Sequence, residues 1–359
     1  MRLERAGKTS IFHLALLFAA VQLIAAGSAQ AEGDCPGLAG ETIRWLVPSR
    51  PGGGYDAYSR LIQPFLEHRL AARVLIENHP DAGGVVGAIM LRDAAPDGRT
   101  LGIINASGLL AANAIEGHLA PDPVTDFTIL GQVVRNHVVM FTGRDSGLID
   151  LVSLLQAAQS RPIVIGVRDL GSTSFYSAPV AAELLGMDYD LVSGYVGSPA
   201  RTLAVMRGEV DIVLGHFDSV QGQVQAGELI PLLQLTDLAV SGLDVPRLGG
   251  PEGIASQRAP LTGRTPQEAE QLAADLAAVV GAGRLAAGPP GLPGQISACL
   301  GTTLGAILQS EAFLLAAEQA RLTIEYKSGA AAYRDLLAGA RGMEQFHDLI
   351  RAAVEQARE

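Results

Sequence analysis

The chain has 359 residues, 48% of them hydrophobic and 18% charged, with 42 glycines and 19 prolines. That composition excludes a disordered or fibrous protein and suits a globular one of about two domains, each of roughly 100 to 200 residues. Acidic residues outnumber basic ones 37 to 26, a net charge of -11, which argues against a nucleic-acid partner because phosphate neutralisation needs a concentrated basic surface.

Residues 1–31 read as an export signal: a basic start at Arg2, Arg5 and Lys8, an apolar stretch from Ile11 to Ala26, and Ala29-Gln30-Ala31, whose small residues suit cleavage after Ala31. The apolar stretch is shorter than the ~20 residues a membrane anchor needs. Cys35 follows Glu32-Gly33-Asp34 rather than the small and apolar residues of a lipoprotein site. The expected mature chain, from Glu32 onward, is periplasmic and keeps 23 basic and 36 acidic residues, a net charge of -13. An anionic ligand would therefore need local donors. Cys35 and Cys299 are the only cysteines; in an oxidising compartment one disulfide and two separate thiols both fit them, and their number and spacing do not suggest a zinc site.

Thr42 to Val47 reads as a buried strand that breaks at Pro48 into the turn Ser49-Arg50-Pro51-Gly52-Gly53-Gly54-Tyr55-Asp56. Tyr58, Leu61, Ile62, Phe65, Leu66 and Leu70 then recur at helical spacing, and Asp56 stands where an N-cap carboxylate would accept the first free amides. A second strand, Arg73 to Glu77, runs into the glycine turn Asn78 to Gly84 and a helix from Val85 to Ala94. A third, Thr100 to Ile104, runs into Asn105-Ala106-Ser107-Gly108. Three strand, loop and helix units in succession predict a parallel sheet covered by helices. Ligands of such sheets bind at the carboxyl ends of the strands, where all three glycine turns would lie.

The middle of the chain repeats this logic: strand Pro162 to Val167, loop Gly171 to Ser174, helix Phe175 to Leu185, strand Leu191 to Tyr195, then Gly197-Ser198-Pro199 opening a helix to Arg207. Val210 to Leu214 is the next strand and ends in Gly215-His216-Phe217-Asp218; Leu229 to Leu235 is expected to return the chain to the first domain. Beyond Pro246 come helical periodicity from Glu268 to Val280, a turn cluster from Gly288 to Gly294, and helices over Ile296 to Gln319 and Ala331 to Ala357 with a short strand, Leu322 to Tyr326, between them.

A glycine-rich turn at a helix start exposes unpaired amides at the positive end of the dipole, a natural receptor for an anion such as a carboxylate. Each charge-assisted hydrogen bond contributes roughly 1.5 to 3 kcal/mol, so a few convergent donors suffice for micromolar binding, about 8 kcal/mol. Catalytic motifs fit less well. No Gly-x-Gly-x-x-Gly follows a strand, no Gly-x-Ser-x-Gly elbow occurs, and the histidines lack metal-ligand spacing, so no cofactor or metal is expected. Ser172, Ser174 and Ser198 have no evident neighbouring base and read as hydroxyl donors to a ligand rather than nucleophiles. For Asp56 and Asp218, capping and loop bracing are the ordinary roles.

The ordered runs Leu46-Val47-Pro48, Pro51-Gly52-Gly53-Gly54-Tyr55-Asp56, Val74-Leu75-Ile76-Glu77-Asn78-His79-Pro80, Ala82-Gly83-Gly84-Val85-Val86-Gly87 and Ala95-Pro96-Asp97-Gly98-Arg99-Thr100-Leu101 resemble the Bug or TctC family, the extracytoplasmic solute-binding proteins of tripartite tricarboxylate transporters. Gly194-Tyr195-Val196-Gly197-Ser198, Arg207-Gly208-Glu209-Val210-Asp211 and Gly291-Leu292-Pro293 extend the resemblance. Ser49-Arg50 stands where that family usually has an aromatic or apolar pair, and Val196 where it usually has Lys.

The resemblance implies an α/β, type II periplasmic binding protein fold, with two lobes closing over a ligand. The lobes would be residues 32–137 with 246–359, and residues 138–245. It further implies a carboxylate ligand, no enzymatic activity, membrane permease subunits as partners, and a monomer. Carried over residue by residue, ligand contact falls on Ser49, Gly53, Gly54, Tyr55 and Asp56 in the first turn, Ser107 in the third, Ser172 and Thr173 across the cleft, Tyr195, Gly197 and Ser198 in a facing loop, and Asp218 where the chain leaves the second lobe. A sensing protein that docks on a sensor kinase and a secreted serine hydrolase are the competing expectations.

Overall fold

A computed structural model of the protein describes residues 34–356 apart from 36, 117–119, 169–171, 196, 237, 241 and 251. The expected export signal, Gly171 and Val196 lie outside the described residues.

The first sheet grows from residues whose alternation hides one face. Strand β1 (Thr42–Val47) pairs in parallel with β2 (Arg73–Asn78) and with β3 (Thr100–Asn105), Ile43 facing Val74 and Trp45 facing Leu101. Helix α1 (Gly54–Leu70) connects β1 to β2; it buries Tyr58, Ile62, Leu66 and Leu70 at helical spacing, and Ser59 receives the Trp45 indole N–H at 3.0 Å. Asp81–Gly84 forms a short 3₁₀ turn before α2 (Val85–Arg92). Gly84 is glycine for two reasons: its φ is +96°, and a Cβ there would lie 2.4 Å from that of Pro48.

The sheet is completed by segments that local periodicity does not announce. Strand β4 (Thr128–Val134) and a later strand, Arg284–Gly288, enter it, the later one antiparallel to both β3 and β4, so β4 runs parallel to β3. A helix over Ala106–Glu116, α3, starts directly at the end of β3, where the expectation was only a loop.

After β4 the chain crosses through Arg135-Asn136-His137 into β5 (Val138–Gly143), part of a second, five-stranded sheet. That sheet holds β6 (Ile163–Gly166), β7 (Tyr189–Val192), β8 (Ile212–His216) and β9 (Leu229–Gln234), in the order β7-β6-β8-β5-β9. The parallel strands are β6, β7 and β8; β5 is antiparallel to β8 and β9. Its helices are α4 (Leu151–Ala157), α5 (Thr173–Leu185), α6 (Gly197–Met206) and the short α7 (Gln221–Gln225). Two sequence expectations are corrected here: β9 remains the edge partner of β5 instead of returning to the first sheet, and β7 lies about two residues before the expected Leu191 to Tyr195 because Tyr189, not Leu191, is in register with Ile163.

The return to the first sheet runs through α8 (Ile254–Arg258) and α9 (Pro266–Gly281) into β10 (Arg284–Gly288). The expected helix over Ile296 to Gln319 is two, α10 (Gly294–Leu308) and α11 (Glu311–Gln319), bent by 61° where Ser310 accepts the amide of Phe313 and starts a new helix. Leu322 to Tyr326 is not a strand; the two-residue β11 (Lys327–Ser328) pairs with β4 instead. The last expected helix also divides, into α12 (Gly329–Gln345) and α13 (His347–Gln356). Cys35 and Cys299 form a disulfide that holds the start of the described chain against α10, which closes the alternative the sequence left open.

The largest core cluster spans both sheets. Helix α5, buried at every position except Glu183, lies against α3, α8, α9 and α13. The start of β10 and the first helix meet the end of β8 between the two sheets: Arg284 and Tyr58 of the first both reach Asp218 of the second.

Candidate anion site between the sheets

The first turn is organised by Asp56. Its position is corrected from N-cap to third residue of α1: Gly53 is the cap and makes no side-chain bond, while Asp56 accepts from the Gly52 amide at 2.8 Å, Arg60 Nε at 2.9 Å and Asn78 Nδ2 at 3.0 Å. Burial opposes its ionisation, but the bonds from Arg60, Gly52 and Asn78 outweigh that and hold its pKa below the ordinary value. A depressed folded pKa means that this stabilisation is complete above the unfolded-state pKa of about 3.9 and disappears as pH falls through the folded value. Asp56→Ala is expected to lose about 1 to 3 kcal/mol of stability at pH 7, since the charged acceptor that ties Gly52, Arg60 and Asn78 together is removed. In urea titrations the gap to wild type should narrow below about pH 4; a gap independent of pH would exclude the carboxylate as the brace.

Deeper in the crevice the polar groups are of a different kind. Arg284, first residue of β10, sits opposite Asn105 at the end of β3 because β10 runs antiparallel to it. Its side chain is 2% exposed, donates from Nη1 to Asp218 Oδ2 at 2.7 Å, and lies 5.1 Å and 4.6 Å from the ring centroids of Tyr55 and Tyr58. The single Tyr58 hydroxyl proton lies within reach of two acceptors, the Thr323 carbonyl at 2.9 Å and Asp218 at 3.3 Å. Burial works against the Asp218 charge, but the charge of Arg284 and the hydrogen bonds from Arg284 and Tyr58 more than offset it and hold the carboxyl below its usual range.

Around this pair several buried atoms make no hydrogen bond among the described residues: the Tyr55 and Tyr176 hydroxyls, both amide atoms of Asn136, Nδ1 of His216 and Nε of Arg284. They come from α1, α5, the β4–β5 crossing, β8 and β10. Tyr55 faces Asn136, and Tyr176 faces Ser107 and Thr173. Burial pushes the Tyr55 hydroxyl up to about 12 despite the opposing charge of Arg284, so it is a neutral donor. Burial, then Arg284, hold His216 down to about 3 and keep it neutral; Arg201 and Arg168 push the same way, and only Asp218 opposes them. In a chain of net charge -11, three arginines thus bear on His216 against the single carboxylate of Asp218. A polar cluster left without partners fits a ligand or bound water far better than an empty interior, since each unsatisfied buried group costs about 1 to 3 kcal/mol.

Of the residues expected from sequence, the crevice brings together Gly54, Tyr55, Ser107, Thr173 and Asp218. A Cβ on Gly54 would lie 2.9 Å from Arg284 Nη2 and 3.6 Å from Ser219 Oγ, so the first turn faces both sheets. Ser49 and Gly53 sit at its rim; the Ser49 carbonyl accepts from Asn78. Asp218 is committed to Arg284 and Tyr58. Ser172 caps α5 and shares a hydrogen bond with Ser174 at 3.2 Å, and no histidine or carboxylate bonds to it among the described residues. Tyr195 packs beside Gly166 and the Val210 and Val213 cluster; no contact joins it, Gly197 or Ser198 to the polar crevice among the described residues. Arg284, Asn136, His216 and Tyr176 were missed. The signal for Arg284 was faint: a single arginine stands between Gly281-Ala282-Gly283 and Leu285-Ala286-Ala287, and arginine is buried only where its charge is paired. A separate, mostly apolar cavity under the second glycine turn, between Pro48, Gly84, Ala88 and Leu109, carries no charged lining. No group of three or more metal-ligating side chains occurs among the described residues.

Residues 58–239 match the model of the tripartite tricarboxylate transporter family receptor, TctC. A protein from Pseudomonas sp. strain P51, named for the tcbD-tcbE intergenic region, is 30% identical over 51% of this chain. The chain spans 54% of that relative's length and 62% of that of an Agrobacterium vitis relative. Among solved structures, an R. palustris protein with adipate superposes with a TM-score of 0.66 at 22% identity, covering 86% of this chain and 97% of that one. MatC from Rhodopseudomonas palustris, with bound malate, gives a TM-score of 0.61 at 21% identity over 88% and 99%. These likenesses establish the fold as that of periplasmic binding proteins, as expected from sequence.

Proposed function

Because this chain belongs to the tripartite tricarboxylate transporter receptor family, we propose that it is a periplasmic solute-binding protein that captures a small organic carboxylate between two lobes and delivers it unaltered to membrane permease subunits. The observation that carries this reading is the set of buried hydroxyl, amide, imidazole and guanidinium atoms, without partners among the described residues, that both sheets contribute around Arg284 and Asp218. An anion supplies the acceptors that the donors of this set lack, and it would draw the facing edges together by fitting the closed arrangement better than the open one. The lobes are residues 32–137 with 246–359, and residues 138–245, the chain crossing at Asn136 and again ahead of β10. The adipate and malate of the two structural relatives support a carboxylate ligand. Capping by the Ser172 hydroxyl gives a hydrolytic reading no activated nucleophile.

The test is a thermal-shift screen of mono-, di- and tricarboxylic acids, followed by calorimetry and recovery of the ligand. Binding confined to the native state raises the melting temperature. We expect one acid class to bind at micromolar affinity with one-to-one stoichiometry and to be recovered unchanged. No response to any carboxylate, or recovery of a transformed product, would overturn the proposal.

A further inference from the structure

A guanidinium offers carboxylates two edges, and the structure shows how Arg284 spends them. Nη1 is taken by Asp218 Oδ2 at 2.7 Å. The other edge, Nε with Nη2, makes no hydrogen bond among the described residues: Nε is fully buried and partnerless. Nη2 points toward Gly54, where the absence of a side chain leaves the room that a Cβ, 2.9 Å away, would fill. The same Gly54 opens α1, whose first amides have no intrahelical acceptor. Tyr55 and Tyr58 lie against the guanidinium and hold it in place. The free edge of the arginine and the bare first turn therefore lie side by side, with the Tyr55 ring against the same guanidinium.

We propose that Arg284 is the carboxylate receptor of this chain: the anion docks on its Nε/Nη2 edge beside Gly54, while Asp218 from the opposite sheet holds Nη1 and so fixes the plane of the fork. This rests on the carboxylate reading above and adds to it the residue that provides the charge. A bidentate fork paired with a carboxylate has a geometry that a lysine cannot reproduce. Asp218 is then an internal counter-charge rather than a ligand contact, and it sets how much positive charge remains for the guest. A lobe latch built from the same ion pair makes the opposite prediction, since either partner would then be equally necessary.

The experiment titrates wild type, Asp218→Asn, Arg284→Lys and the double variant Arg284→Met/Asp218→Asn with the acids malate, adipate, succinate and citrate, using calorimetry after checking thermal unfolding. The double variant removes both members of the pair, so no buried charge is stranded. Expected are a loss of at least about 30-fold in the double variant, about tenfold with lysine, and equal or tighter binding in Asp218→Asn. On wild type itself, a nitrogen-15 arginine spectrum should show the Arg284 Nε–H signal moving downfield as the acid is added, a readout that stands even where a variant does not fold. Wild type binding none of the acids would overturn the carboxylate reading and this inference with it. An acid that binds wild type and the double variant within threefold, an equal loss in Asp218→Asn and the double variant, or an unmoved Nε–H signal would each overturn the Arg284 assignment alone.

Discussion

Replacing Cys35 and Cys299 together by serine is expected to lower the unfolding free energy by about 2 to 4 kcal/mol. The disulfide joins residues 264 positions apart, so it shortens the unfolded chain's accessible ensemble over most of its length, and the loop-entropy contribution is large for such a span. The native state has little to lose in exchange: Cys35 and Leu38 are buried against Leu300 and Leu304, and the neighbouring backbone is tied down by Asp34 N–H to the Arg69 carbonyl and Gly40 N–H to the Ala71 carbonyl. The double-serine protein should therefore keep its fold and give an unchanged circular dichroism spectrum while its urea midpoint falls. Wild type in reducing agent should fall by the same amount. A midpoint that stays put in both would mean that the crosslink adds nothing to packing already complete.

Gly54→Val is expected to weaken carboxylate uptake by about 30- to 100-fold, roughly 2 to 3 kcal/mol. No φ constraint demands glycine here; the reason is space. The new Cβ would fall 2.9 Å from Arg284 Nη2, and the guanidinium cannot retreat easily because Asp218 and two tyrosine rings hold it. The valine methyls would then occupy the room left for an anion and cover the first free amides of α1. The turn stands at the rim of the core rather than within it, so unfolding should remain cooperative and near the wild-type temperature. Calorimetry with the acid that the screen identifies decides the matter, and an affinity within a few-fold of wild type would remove the first turn from the site.

The units from β1 to β3 and from β6 to β8 were legible because each carries its own signal: β-branched runs such as Thr42–Val47, glycine turns, and apolar residues at helical spacing from Tyr58 to Leu70. The strand Arg284–Gly288 was not, since Arg-Leu-Ala-Ala-Gly has no β-branched residue and becomes a strand only because β3 and β4 offer it hydrogen-bonding edges on both sides. The paired helices α10 with α11 and α12 with α13 read as single long helices because amphipathic periodicity continues across their breaks, and a cap such as Ser310 declares itself only once the chain has turned.

By itself the sequence determined the family resemblance, the parallel units with glycine turns at their carboxyl ends, and the pair of cysteines able to join. These depend on short-range pattern, and each segment of a few residues states its own preference. Only the tertiary structure decided that the cysteines do join, that β9 stays in the second sheet, and that Asp218 pairs with Arg284. Those outcomes depend on which distant residues come together: a charge 66 residues away along the chain leaves no local trace in the sequence, yet at 2.7 Å in a buried site it fixes where the guanidinium lies.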